Sequence, residues 1–214
     1  MNAVLFDLDG TLVDTAPDLG YALNIQRQRH GLLPLADEQI RPYASHGSRG
    51  LLALGFGIMP EDAHFSAMRD EYLDIYNQVF TRSPRLFDGM QEVLGVLEQR
   101  NILWGVVTNK PKRFTLPLLE SIGLHRRAAS IVSGDEAPQP KPSPQTLLMA
   151  CEQMQVNPLD CHYVGDAERD IQAGKAAGMK TVVALFGYID VADRPSEWGA
   201  DNMIQQAQEL LTLI

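Results

Sequence analysis

The sequence predicts an α/β fold: a doubly wound parallel sheet with a small helical insertion after its first strand. Three observations carry this expectation. Short apolar, β-branched runs recur along the chain, each ending at a polar or small residue. From about residue 84 onward, helical patterns separate these runs, which is the alternation of a parallel sheet. Residues 17–82 break that alternation with amphipathic helical patterns and no convincing strand.

The first run, residues 3–6, stops at Asp7 and reads as a buried strand delivering carboxylates at its C-terminal end. Residues 102–107, 131–132 and 162–164 have the same character, and residues 181–185 make a fifth strand. Helices are expected between and after them, at 90–99, 114–122, 146–154, 171–177 and 207–213. Inside the insertion the helical patterns run over 19–30, 37–43, 48–54 and 61–80. Its ends are expected near Pro17 and at Ser83-Pro84, because proline turns the chain away from continued helix. The division is therefore a core of residues 1–16 and 83–214 and a helical unit of residues 17–82.

A chain of 214 residues with 45% hydrophobic residues buries a sizeable core, as one domain or as one domain with an insertion. The formal net charge of −9 repels nucleic acid and anionic membranes, so an anionic small molecule needs a local positive site. Cys151 and Cys161 form no CxxC pair, so neither a disulfide framework nor a zinc site is indicated. Asp7 and Asp9 stand where a signal peptide needs an unbroken apolar stretch, and no run of about 18 apolar residues follows. The expectation is a soluble, cytoplasmic protein, a monomer or homodimer, with no nucleic-acid or membrane partner.

Ligands of open parallel sheets bind outside the C-terminal strand ends, so the residues after each strand form one set. That set contains Asp7, Asp9, Gly10 and Thr11; then Thr108, Asn109 and Lys110; then Lys141; then Gly165, Asp166 and Asp170. Clustered carboxylates repel unless a cation sits among them, and hard oxygen ligands suit Mg²⁺. The lysine is then expected to face a phosphate. Taken singly, each motif has a plainer explanation. The DxD pair serves in turns and helix caps, Thr108 as an N-cap, Lys141 as a solvated loop charge, Asp166 as a helix-start carboxylate and Asp170 as an exposed charge four residues on.

Their order joins them. Asp7-Leu8-Asp9-Gly10-Thr11-Leu12-Val13-Asp14-Thr15 resembles the signature of the haloacid dehalogenase superfamily, and Thr108, Lys141 and the segment from Gly165 to Asp170 match its other three motifs. The resemblance spans the chain and implies a Rossmann-like core with a small cap, and a phosphatase acting on a small phosphate ester. It implies Asp7 as nucleophile and metal ligand, and Asp9 as general acid/base with a carbonyl on Mg²⁺. Asp166 is implied as a metal ligand, and Asp170 as support for the metal site or Lys141. Thr108, Asn109 and Lys141 are implied as the phosphoryl grip. Dehalogenases resembling this chain lack a carboxylate at the place of Asp9, since a departing halide needs no proton.

The insertion lies where the phosphoglycolate phosphatase-like branch carries its cap. Within it, Ser45-His46-Gly47-Ser48-Arg49-Gly50 is the expected substrate loop, with His46, Ser48 and Arg49 as candidate contacts; an exposed helix start with a solvated Arg49 is the alternative. Residues 103–111, Gly187-Tyr188-Ile189 and Trp198-Gly199-Ala200-Asp201 resemble the N-acetylmuramic acid 6-phosphate phosphatases. Other readings stay open: a sugar phosphomutase like the β-phosphoglucomutases, which shares cap position and motifs, and a phospho-aspartate receiver domain, which is shorter and lacks the insertion.

Overall fold

The computed structural model describes residues 2–214. Strand β1 (Ala3–Phe6) enters a two-residue strand β2 (Val13–Asp14), followed by helices α1 (Ala16–Arg29), α2 (Asp37–Ile40), α3 (Gly47–Phe56) and α4 (Phe65–Val79). Strand β3 (Arg85–Leu86) then leads to α5 (Met90–Gln99), β4 (Leu103–Val107), α6 (Lys112–Ser121), β5 (Ser130–Val132) and α7 (Gln145–Met154). Strand β6 (Cys161–Gly165), α8 (Glu168–Ala176), β7 (Lys180–Ala184) and β8 (Asn202–Ile204) complete the order.

The main sheet runs β5-β4-β1-β6-β7-β8 with every pairing parallel. The chain winds outward from β1 in one direction through β4 and β5, and in the other through β6, β7 and β8. The switch point therefore falls at β1. Phe6 lies in register with both Val106 and Val164, so three central strands end level. Their inner residues are sealed from water, with Val4, Leu5, Phe6, Val106, Val107 and Val164 all fully buried. Burial on both faces is why these strands read as unbroken apolar runs.

Several expectations need correction. Residues 207–213 form a 3₁₀ helix over Ala207–Thr212, where an α-helix was expected. Strand β8 and the antiparallel β2–β3 pair lie outside the expected strands. The pattern over 37–43 splits into α2 and a 3₁₀ helix over Arg41–His46. Pro17 does not interrupt the chain: it sits in the first turn of α1, where the missing N–H costs nothing. The two strands crossing into the helical segment are held together instead. β2 and β3 pair antiparallel, and Asp18 accepts hydrogen bonds from the Ser83 N–H and hydroxyl at 3.0 and 2.8 Å.

Candidate active site

The level ends of β1, β4 and β6 bring Asp7, Thr108 and Asp166 to one rim. Asp7 is anchored by its own N–H to the Val164 carbonyl at 2.9 Å. Its Oδ1 accepts from the Leu8 N–H at 2.7 Å and lies 2.9 Å from Lys141 Nζ. No hydrogen bond to Asp7 Oδ2 occurs among the described residues, which leaves that oxygen open to a reacting partner.

Lys141 arrives from the loop before α7 and is fully enclosed. Its ammonium lies 2.7 Å from Asp170 Oδ1 and donates to the Tyr163 hydroxyl at 2.7 Å and the Val107 carbonyl at 3.1 Å. The loop holding it is clamped by Asn109, whose carboxamide accepts from the Lys141 N–H and donates to the Lys141 carbonyl, both at 2.9 Å. Asn109 thus has its side chain committed to the lysine, leaving only its backbone for the anion grip expected of it. Asp170 is fully buried, which overturns the plainer reading of it as an exposed charge. Its Oδ2 accepts from the Ala167 N–H at 3.0 Å, starting α8, while its Oδ1 holds the lysine.

Asp7, Asp166 and Asp170 each present an oxygen within 4.8 Å of the others. Asp166 accepts from the Thr11 hydroxyl at 3.1 Å, the Ser45 hydroxyl at 2.7 Å and the Tyr188 N–H at 2.9 Å. Burial, with Asp7 and Asp170 alongside, pushes its carboxyl up to about 7. Burial and Asp170 raise Asp7 as well, against the lowering pull of Lys141. Such a crowd of buried oxygens is stabilised by a hard divalent cation, so the residues present fit Mg²⁺. Gly10, at φ +86°, is required here, since a Cβ would strike the Asp166 carboxylate. The Asp9 carboxylate stands outside this trio, which leaves only its backbone carbonyl for the metal role expected of it.

Asp9 instead meets the Thr15 hydroxyl at 2.5 Å and Lys110 Nζ at 3.0 and 3.1 Å. It opens onto a cavity of about 950 Å³ between the sheet rim and the helical segment. Asp7, Thr108 and Asn109 line its floor, and His46, Ser48 and Arg49 line its wall, so all three loop candidates face the same space as the residues that follow β1 and β4. Lys110, Arg69, Arg113 and Arg169 also border it, a local positive field on an acidic protein. Burial pulls His46 below its ordinary range, with Arg169 adding to the effect.

Some of the arrangement escaped sequence reasoning. Ser45, and not Ser48, reaches Asp166, while Arg169 donates to the Ser45 carbonyl at 2.8 Å; together they stitch the helical segment to the carboxylate trio. Tyr188 accepts from the Thr15 and Ala16 N–H groups at 2.7 and 2.8 Å and donates to Asp14 at 2.9 Å. Arg169 and Tyr188 lie in motif stretches already singled out, yet nothing local tells which way they point.

The profile of the haloacid dehalogenase-like hydrolases matches residues 4–184. The chain belongs to that family. It is 38% identical to the N-acetylmuramic acid 6-phosphate phosphatase of Pseudomonas aeruginosa, over 100% of this chain and 95% of that one. It is 41% identical to a phosphoglycolate phosphatase of Xanthomonas campestris pv. campestris, over 97% and 94%. On these matches the chain is a phosphatase of the family. A haloacid dehalogenase-like hydrolase from Streptococcus pneumoniae superimposes with a TM-score of 0.84 at 20% identity, covering 100% of this chain and 98% of that one, which bears on the fold alone. Among the described residues, no helix is long and apolar enough to cross a membrane.

Proposed function

We propose that the protein is a Mg²⁺-dependent phosphomonoester hydrolase that works through a phospho-aspartate on Asp7. The observation that carries this reading is Asp7, lining a cavity bordered by cations and paired at 2.9 Å with the enclosed Lys141, with Asp166 and Asp170 clustered beside it. Asp7 and Asp166, with Asp170 nearby and the Asp9 carbonyl as a further donor, would hold the cation. When bound, the cation supplies charge neutralisation for the phosphoryl oxygens.

Thr108, the Asn109 backbone and Lys141 grip the phosphoryl group and orient it toward the Asp7 carboxylate. Attack by Asp7 forms a carboxylate–phosphorus bond as the ester oxygen leaves, and Asp9 gives that oxygen its proton. Water then attacks the same phosphorus, Asp9 takes the water proton, and phosphate departs with Asp7 restored. Residues 17–82 act as a cap that excludes bulk water from this exchange.

The proposed substrate is a small sugar-like or hydroxy-acid phosphate, N-acetylmuramic acid 6-phosphate or phosphoglycolate. A cavity of about 950 Å³ favours the larger ester, and His46, Ser48 and Arg49 would contact the part that is not transferred. Phosphate release from both esters, compared as kcat/KM, tests this. The larger ester is expected to be hydrolysed with the higher kcat/KM. Faster turnover of an unrelated sugar phosphate, or its interconversion without phosphate release, would overturn the assignment.

A further inference from the structure

Lys110 has no role in the motif scheme, yet it is the cation in contact with the proposed acid/base. Its side chain is only 7% exposed, and its ammonium meets both carboxylate oxygens of Asp9 at 3.0 and 3.1 Å. The Thr15 hydroxyl holds Asp9 Oδ1 from another direction. The ammonium also sits 5.0 Å from the ring centre of Tyr76 on α4. Tyr76 is itself buried, stacked on Tyr72 at 6.1 Å and packed edge-on to Phe114 at 5.2 Å. The Lys110 N–H donates to Thr108 Oγ1 at 3.1 Å, which fixes the base of the side chain beside the phosphoryl grip.

The geometry points to Lys110 as a positioning residue for Asp9, steered by the aromatic wall of α4. An aspartate has two free torsions, and a general acid must bring its proton within hydrogen-bond reach of the leaving oxygen. Thr15 constrains one oxygen; Lys110 constrains both. This inference rests on the phosphatase reading above and adds a residue to it.

The role predicts a dependence on leaving group. An alkoxide needs a proton from Asp9 to depart, whereas 2,4-dinitrophenolate leaves without one. Because kcat/KM reports steps up to formation of the phospho-aspartate, it isolates the acid function. In Lys110→Met, kcat/KM on an alkyl phosphate is expected to fall by about 10- to 100-fold. On 2,4-dinitrophenyl phosphate it should fall by less than about 3-fold, and Asp9→Asn should show the same asymmetry. Lys110→Arg should restore most of the loss. Parallel losses on both esters would make Lys110 a substrate binder or scaffold, and no loss on either would leave Asp9 positioned without it; each result overturns the inference. If Lys110→Met does not fold, Tyr76→Leu withdraws the wall and leaves the ammonium. A selective loss on the alkyl ester then supports the role, and a parallel or absent loss overturns it. Wild-type protein that hydrolyses neither ester would instead bring down the phosphatase reading, and this role with it.

Discussion

At Asp7 the environment works in two opposed directions. Burial and Asp170 favour a protonated carboxyl, while Lys141 favours the charged form that a nucleophile needs. On the proposed mechanism the lysine would therefore serve the chemistry as well as the fold. Asp7→Asn should lower kcat by on the order of 10³-fold or more while leaving the fold intact, checked by phosphate release and circular dichroism. Retained turnover would mean another group carries the phosphoryl. Lys141→Met should cost about 3 kcal/mol of stability in urea unfolding, because removing one partner strands a buried charge. A loss below about 0.5 kcal/mol would show that the pair is not desolvated as the distances indicate.

One hydroxyl and one short antiparallel strand pair brace the junction where the chain leaves and re-enters the core. Tyr188 satisfies the first N–H groups of the α1 region and at the same time hydrogen-bonds Asp14, which also pairs with Arg41 at 3.0 Å and Arg85 at 3.1 Å. Tyr188→Phe keeps the ring but orphans these groups, so a loss of about 1–3 kcal/mol is expected in denaturant titration. An unchanged midpoint would show that water replaces the hydroxyl freely. The helices of the core were legible because their apolar faces repeat at helical spacing, and α5 coincides with its expected bounds of 90–99. Strand β8 was not, since Met203 is 48% exposed and an edge strand shows no apolar run. The β2–β3 pairing joins two residues to two others some seventy positions away, which no local pattern encodes.

Across the whole molecule, the carboxylate trio links metal, pH and stability. Asp166 is raised from 3.8 to about 7, so the metal-free folded chain holds a proton there that the unfolded chain has released. The stability from this proton is fully present below about pH 4 and is lost as pH rises through about 7. Removing Mg²⁺ should therefore lower Tm more at pH 8 than at pH 5, and Asp166→Asn should flatten that difference. Melting curves with and without EDTA read it directly; an equal Mg²⁺ effect at both pH values would contradict the crowding of acids. A bound cation would also oppose the repulsion among Asp7, Asp166 and Asp170, so the same melts would measure how firmly the trio holds it.

The sequence alone determined the alternating core, its central strands, and which polar residues end those strands, because burial on both faces writes itself as composition and order. The same reading grouped Asp7, Asp9, Thr108, Lys141, Asp166 and Asp170 as a set, since they come after successive strands and the four motifs keep one order. Only the tertiary structure decided who faces whom. It turned the Asn109 side chain toward Lys141, carried Ser45 to Asp166, and set Lys110 between Asp9 and Tyr76. Those choices depend on side-chain direction and on contacts between distant segments, where the energy of one pair rests on what surrounds both partners and not on either residue's neighbours in the chain.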